Sequence, residues 1–142
     1  MSNHESPLRP KRFVIKKITE EALLISKGMS TKIILGNIDI ERDWGWAEDY
    51  IEGILKIIDS NVVDDFVIAT GTTISLREMA TKIFNFFDLD FEKYLEIDKN
   101  LYRPYEIPRS ALNPDKILKK VFWKANMQID QLVENLCKSA IK

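Results

Sequence analysis

Cysteine, histidine and glycine are scarce in this chain of 142 residues, which holds one Cys, one His and five Gly. A single thiol, Cys137, closes no internal disulfide, and its helical setting predicts a reduced thiol. With one histidine, His4, and one cysteine there is no His/Cys cluster for a metal. The few glycines form no Gly-x-Gly-x-x-Gly turn and no phosphate loop ending in Lys-Ser or Lys-Thr. No tyrosine is followed four residues later by a lysine, so no helix pairs those two groups one turn apart as acid and base. No sign of charge dominates: the formal net charge is −1, which supplies no field for nucleic acid or an anionic membrane. No apolar run approaches membrane-spanning length, and MSNHESPLRPKRF lacks the hydrophobic centre of a signal peptide. The expectation is a soluble, cytoplasmic chain with no metal and no complete set of catalytic groups.

What is present is ordinary globular material, 45% hydrophobic and 30% charged, enough for one domain with a core. Residues 1–12 are polar with two prolines and read as a loop or arm. From Phe13 a helical period places Ile15, Ile18, Ala22 and Ile25 on one face, with Gly28 as a C-terminal cap. Thr31–Leu35 (TKIIL) predicts a strand ending at Gly36-Asn37. Ile51, Ile54, Leu55 and Ile58 form an amphipathic stripe on a helix. Asp65–Thr70 (DFVIAT), closed by Gly71, predicts a buried strand. Ser75-Leu76-Arg77-Glu78 is a capping box, opening a helix that turns Leu76, Met79, Ile83 and Phe86 or Phe87 inward. Tyr94–Asp98 fits an edge strand. Asn113-Pro114 starts a helix with Ile117, Leu118, Val121 and Phe122 on its face. Ile129, Leu132, Val133, Leu136 and Ala140 mark the last one. The pattern predicts an α+β fold, mostly helical, with about five helices and two or three short strands. So few strands make the sheet small, or leave it completed from outside the chain.

Three polar clusters stand out. In Asn3-His4-Glu5-Ser6-Pro7 with Arg9, a solvated terminal arm competes with a ligand-touching one. In Arg42-Asp43-Trp44-Gly45, one reading is an aromatic packing corner with Asp43 capping the next helix. The other has Asp43 pinning a loop so that Arg42 offers its planar fork to a phosphate or carboxylate. In Tyr102-Arg103-Pro104-Tyr105-Glu106, Pro104 holds Arg103 extended, and Glu106 could accept from ribose hydroxyls. Two restrained arginines on separate segments suit a diphosphate.

The run NHESP, FVIKKIT, LGNIDIERDWGWAEDY, DDFVIATG with SLRE, and LYRPYE, in this order, resembles the GDP-mannose 4,6-dehydratase family. These are extended short-chain dehydrogenase/reductase enzymes of nucleotide-sugar metabolism. Asn113-Pro114-Asp115-Lys116 followed by Trp123-Lys124 is similar to the family's C-terminal helix and turn. The resemblance covers only the C-terminal half. It implies a substrate-binding subdomain over residues 1–142, with 1–12 continuing from a Rossmann portion absent here. That portion would carry the NADP loop and the catalytic Thr/Ser, Glu, Tyr and Lys. The family's reaction oxidises the hexose at C4, eliminates water across C5 and C6, and returns the hydride at C6.

Position by position, the resemblance implies that Asn3, Lys17, Asn37, Arg42, Arg103 and Glu106 contact the GDP-sugar, and that His4 and Arg9 touch NADP. No catalytic residue is expected on this chain, which alone would be inactive. Expected partners are GDP-mannose or a related GDP-sugar and a separate Rossmann-half polypeptide; full-length members are oligomeric. Other readings are a stand-alone, non-catalytic GDP-sugar-binding module, a decayed remnant, or a fragment of another sugar-nucleotide dehydratase or epimerase. Two departures stand out. Leu8-Arg9-Pro10 replaces the family's Arg-Arg-Gly, losing a cation, and Phe122-Trp123 stands where Leu-Gly is usual.

Overall fold

The computed structural model describes every residue, Met1–Lys142. Three helices make the main core: α1 (Val14–Ser26), α3 (Leu76–Phe86) and α6 (Ile129–Ile141). Their apolar stripes meet through Ile15, Ile18 and Ala22, through Met79, Ile83 and Phe84, and through Leu132 and Leu136. Helix α1 ends as expected, with Gly28 at φ +69° in the left-handed region that closes a helix. The Ser75 hydroxyl accepts from the Glu78 N–H (3.0 Å) and so caps α3. On α3 it is Phe84 that reaches the core, at 0% exposure, while Phe86 and Phe87 are only half-buried.

Strands are short. β1 (Asn3–Glu5) pairs in parallel with β3 (Glu41–Trp46), and β3 pairs antiparallel with β4 (Thr73–Ser75). β2 (Ile33–Leu35) pairs in parallel with β5 (Leu95–Ile97). Both β2 and β5 fall inside the stretches the sequence marks. β1 lies in the segment expected to be a loop or arm, and β3 contains the Arg42-Asp43-Trp44-Gly45 cluster, for which the sequence predicts no strand. The strand expected at Asp65–Thr70 does not form. Its backbone has no neighbouring strand; the Ile68 carbonyl instead accepts from Ser2 N–H (2.8 Å).

Six helices and five strands therefore exceed the expected five and two or three. The extra helix is the single turn α4 (Phe91–Tyr94), capped by Asp90, too short to show a period. A second, smaller cluster joins α2 (Ala47–Asp59) and α5 (Asp115–Val121) through Tyr50, Ile117 and Trp123. Here the expected faces turn. α2 packs by Tyr50 and by Gly53, where a Cβ would lie 2.9 Å from the Trp123 ring. Of its expected stripe, Ile54 packs half-buried against this cluster, whereas Ile51 is 56%, Leu55 55% and Ile58 65% exposed. On α5, Ile117 and Val121 are buried but Leu118 and Phe122 are not. No helix is long and apolar enough to cross a membrane.

Phe122 ends α5 with φ 57° and ψ 35°, left-handed, while its ring is 82% exposed. A β-carbon is costly there and the ring returns little packing. Phe122→Gly should therefore raise stability by about 1 kcal/mol, read as a higher urea midpoint at unchanged slope.

Candidate functional site

The period of two along β3 sorts its side chains between two faces. Arg42 and Trp44 face a cavity of about 380 Å³, and β1 adds Asn3 and Glu5 to the same wall. Asp43 and Gly45 take the opposite face, where Tyr50 lies against the strand so closely that a Cβ on Gly45 would meet its hydroxyl at 2.2 Å. The same alternation on β1 directs His4 away from the cavity. Its ring centroid lies 6.3 Å from that of Tyr50, and its Nδ1 sits 3.2 Å from the Ser2 carbonyl.

Asp43 is the anchor of this arrangement. It is 2% exposed, yet its carboxylate accepts from Gly71 N–H (2.7 Å), Thr70 N–H (3.1 Å), Ser2 Oγ (3.0 Å) and Tyr50 Oη (3.3 Å). The Ser2 hydroxyl also reaches the Asp43 carbonyl. Asp43 thus pins a loop and the N-terminal arm, and does not cap α2. The Tyr50 phenol is held above its ordinary pKa, first by burial.

The cavity's remaining wall comes from the start of α1 (Phe13 and Val14), from Gly36 and Asn37 after β2, and from the segment 101–106. Gly36 is required because a Cβ would stand 2.9 Å from the Leu101 carbonyl oxygen. The closing segment is tied down by Glu41 N–H to the Pro108 carbonyl (2.7 Å) and Ser110 N–H to the Glu41 carbonyl (3.0 Å). Within it, Glu106 bridges two arginines: Arg42 Nη2 at 2.7 Å and Arg103 Nε at 3.8 Å. Arg42 is 15% exposed and Arg103 82%, so the first is set in the wall and the second stands at the mouth.

Arg9 lies flat on Phe13, 3.5 Å from the ring centroid, and donates to the His4 carbonyl (2.6 Å) and to Glu5 Oε1 (3.2 Å). Glu5 is 3% exposed, and burial pushes its carboxyl up to about 7, with Arg9 pulling the other way. Of the eight positions singled out in the sequence, Asn3, Arg9, Asn37, Arg42, Arg103 and Glu106 line one cavity. His4 and Lys17 do not; the Lys17 ammonium donates to the Ile34 carbonyl (2.6 Å) behind the wall. Glu5 and Arg12, which sequence reasoning passed over, are wall residues too. The alternation Asn3-His4-Glu5, once taken as a strand, would have pointed to Glu5.

A raised carboxyl pKa has a signed consequence. Between about 4.5, its ordinary value, and about 7, the folded chain holds a proton that the unfolded chain releases. Stability should be greatest below that window and fall as pH rises through it. Urea midpoints measured across the window should show that decline in the wild type, and a flatter profile in Glu5→Gln.

Against this geometry, the sequence profile described as GDP-mannose 4,6 dehydratase matches residues 1–136. GDP-mannose 4,6 dehydratase 1 of Arabidopsis thaliana is 36% identical over 132 residues, covering 93% of this chain and 37% of that protein. The Homo sapiens enzyme of the same name is 32% identical over 151 residues, covering 94% of this chain and 41% of its own length. The chain thus spans well under half of these curated relatives, and matches their C-terminal part. Among solved structures, RMD from Pseudomonas aeruginosa complexed with NADPH superposes with a TM-score of 0.87 at 18% identity, covering 97% of this chain and 46% of that one. dTDP-glucose 4,6-dehydratase from Bacillus anthracis in complex with NAD gives 0.83 at 18% identity, covering 97% and 42%. These two share the α+β fold of this chain over less than half of their own length.

Proposed function

We infer the function from family membership, for the chain belongs to the GDP-mannose 4,6-dehydratase family. We propose that it carries the sugar-nucleotide side of such a site, where GDP-mannose or a related GDP-sugar is held for dehydration to the 4-keto-6-deoxy sugar. The observation that carries this reading is the convergence of Arg42, Arg103 and Glu106 on one cavity from two distant segments. A diphosphate would take the arginine forks by charge-assisted hydrogen bonds, replacing the carboxylate that now bridges them. Glu106, so released, would be placed to accept from ribose hydroxyls, and Asn3 and Asn37 add neutral polar contacts along the wall. Trp44, 2% exposed, backs Arg42 as packing.

The family reaction also uses NADP, and the residues present do not fit the whole of that cofactor. A dinucleotide cradle needs a glycine turn feeding a helix N-terminus. The glycines here serve other needs: Gly45 and Gly53 admit rings, Gly36 admits backbone, and Gly28 and Gly71 turn left-handed. Arg9 is already committed to Glu5, the His4 carbonyl and Phe13. The nicotinamide and the proton-transfer groups would therefore come from the part of the relatives that this chain does not span. A separate Rossmann polypeptide is one source, and the outward stripe Ile51, Leu55 and Ile58 supports a covering partner. The whole assembly would act as a cytoplasmic, oligomeric lyase. This chain's share is binding and orientation of the nucleotide, which fixes the hexose for chemistry done elsewhere.

Calorimetric titration with GDP tests the reading. Arg42→Ala and Arg103→Ala should each weaken binding, by about tenfold or more where a charge-assisted bond contributes roughly 1.5–3 kcal/mol. Trp44→Ala should mainly lower the unfolding midpoint. Unchanged GDP affinity in both arginine variants would remove the phosphate clamp.

A further inference from the structure

Four guanidinium groups and two carboxylates line the cavity, and their pairing is uneven. Arg9 is matched with Glu5, and Arg42 with Glu106, which also lies within reach of Arg103. Arg12 has no carboxylate and no hydrogen-bond acceptor, although the chain forms sixteen other ion pairs. Its guanidinium lies 5.3 Å from the Phe13 ring centroid, and the same ring holds Arg9 at 3.5 Å. Phe13 thereby contacts two arginines of the cavity lining, only one of which is paired with a carboxyl. An aromatic face restrains an arginine without consuming its donors, so the fork of Arg12 remains available.

From this uneven pairing we propose that Arg12 is a specificity-determining contact of the same cavity, supplying a third arginine to the diphosphate beside Arg42 and Arg103. The step rests on the reading of the cavity as a sugar-nucleotide site, and adds which charge state that site selects. One phosphate is within the means of Arg42 and Arg103. A second phosphate gains most from a cation that no carboxylate already satisfies. Arg12 therefore sets the preference for a diphosphate over a monophosphate. Its exposure keeps the contribution modest, because water and salt screen a charge at the mouth of a cavity.

Calorimetric titrations with inorganic pyrophosphate, inorganic phosphate and GDP, on the wild type and on Arg12→Gln and Arg12→Lys, test this. Arg12→Gln should weaken pyrophosphate and GDP alike by roughly three- to tenfold, with little effect on phosphate. Arg12→Lys should recover part of the loss, since it returns the charge but not the fork. Because the side chain holds no carboxylate or hydrogen-bond acceptor and only an exposed contact with the Phe13 ring, the urea midpoint should change little. Pyrophosphate binding equal in wild type and Arg12→Gln would overturn the assignment, as would a wild type that binds pyrophosphate no better than phosphate. If pyrophosphate binding depends on Arg12 but GDP gains nothing over pyrophosphate, the Arg12 contact stands and the guanosine-nucleotide reading fails.

Discussion

A single buried carboxylate, Asp43, holds the site together. Polar groups are costly to bury unpaired, and the Asp43 carboxyl is accommodated because each of its four hydrogen-bond partners is a donor. Two of those donors belong to the Thr70–Gly71 loop, one to the N-terminal arm and one to the helix that follows. By fixing the inner face of β3, Asp43 fixes the outer face as well, since neighbouring side chains on a strand must point oppositely. Arg42 and Trp44 are thereby aimed into the cavity. Gly45 completes the arrangement, giving the Tyr50 ring room to approach the strand. The arm carrying Asn3 and Glu5 pairs with β3 in a register that puts Asn3 beside Trp44. One buried carboxyl thus positions the two strands of the cavity wall, β1 and β3.

The cavity so formed is charged but poised. Glu106 makes one contact with Arg42, and Glu5 one with Arg9, so the cations are oriented before any ligand arrives. Such pairing lowers the self-repulsion of four arginines in a small volume. It also means that an incoming anion competes with a carboxylate at Arg42 and meets no competitor at Arg12. Affinity would then reflect an exchange of ion pairs, and would weaken with salt more steeply than a neutral contact.

Much of this was legible in the sequence, and the gaps have physical causes. The helices over Ile15–Ile25 and Ile129–Ala140 declared themselves because each buries a full stripe, and period 3.6 survives any amount of surface variation. The stripe of α2 was equally clear but misled about direction: periodicity reports that a face is apolar, not what covers it. Asp65–Thr70 reads as a strand by composition, yet a strand needs neighbours, and here the backbone bonds go to Ser2 and Asp43. β1 and β3 escaped notice because Asn3-His4-Glu5 and Glu41–Trp46 are polar and charged, as a wall of an ionic cavity must be. Arg42, Arg103 and Glu106 stood out through their proline and tryptophan neighbours. Glu5 lay in a flagged cluster without a contact assigned to it and Arg12 had no such flag, and only the folded chain places them beside the others.

On the proposed reading, Arg42 and Arg103, set by Asp43 and the closing segment, exchange Glu106 for a diphosphate when GDP binds. Side-chain nitrogen NMR of the chain with isotope-labelled arginine reads this directly during a GDP titration. The Nε–Hε resonances of Arg42 and Arg103 should shift together and saturate at one GDP concentration. Arg77, paired on α3 with Asp39 and Glu92, should stay in place. Saturable GDP binding that leaves the Arg42 and Arg103 resonances unmoved would show that these arginines do not hold the diphosphate.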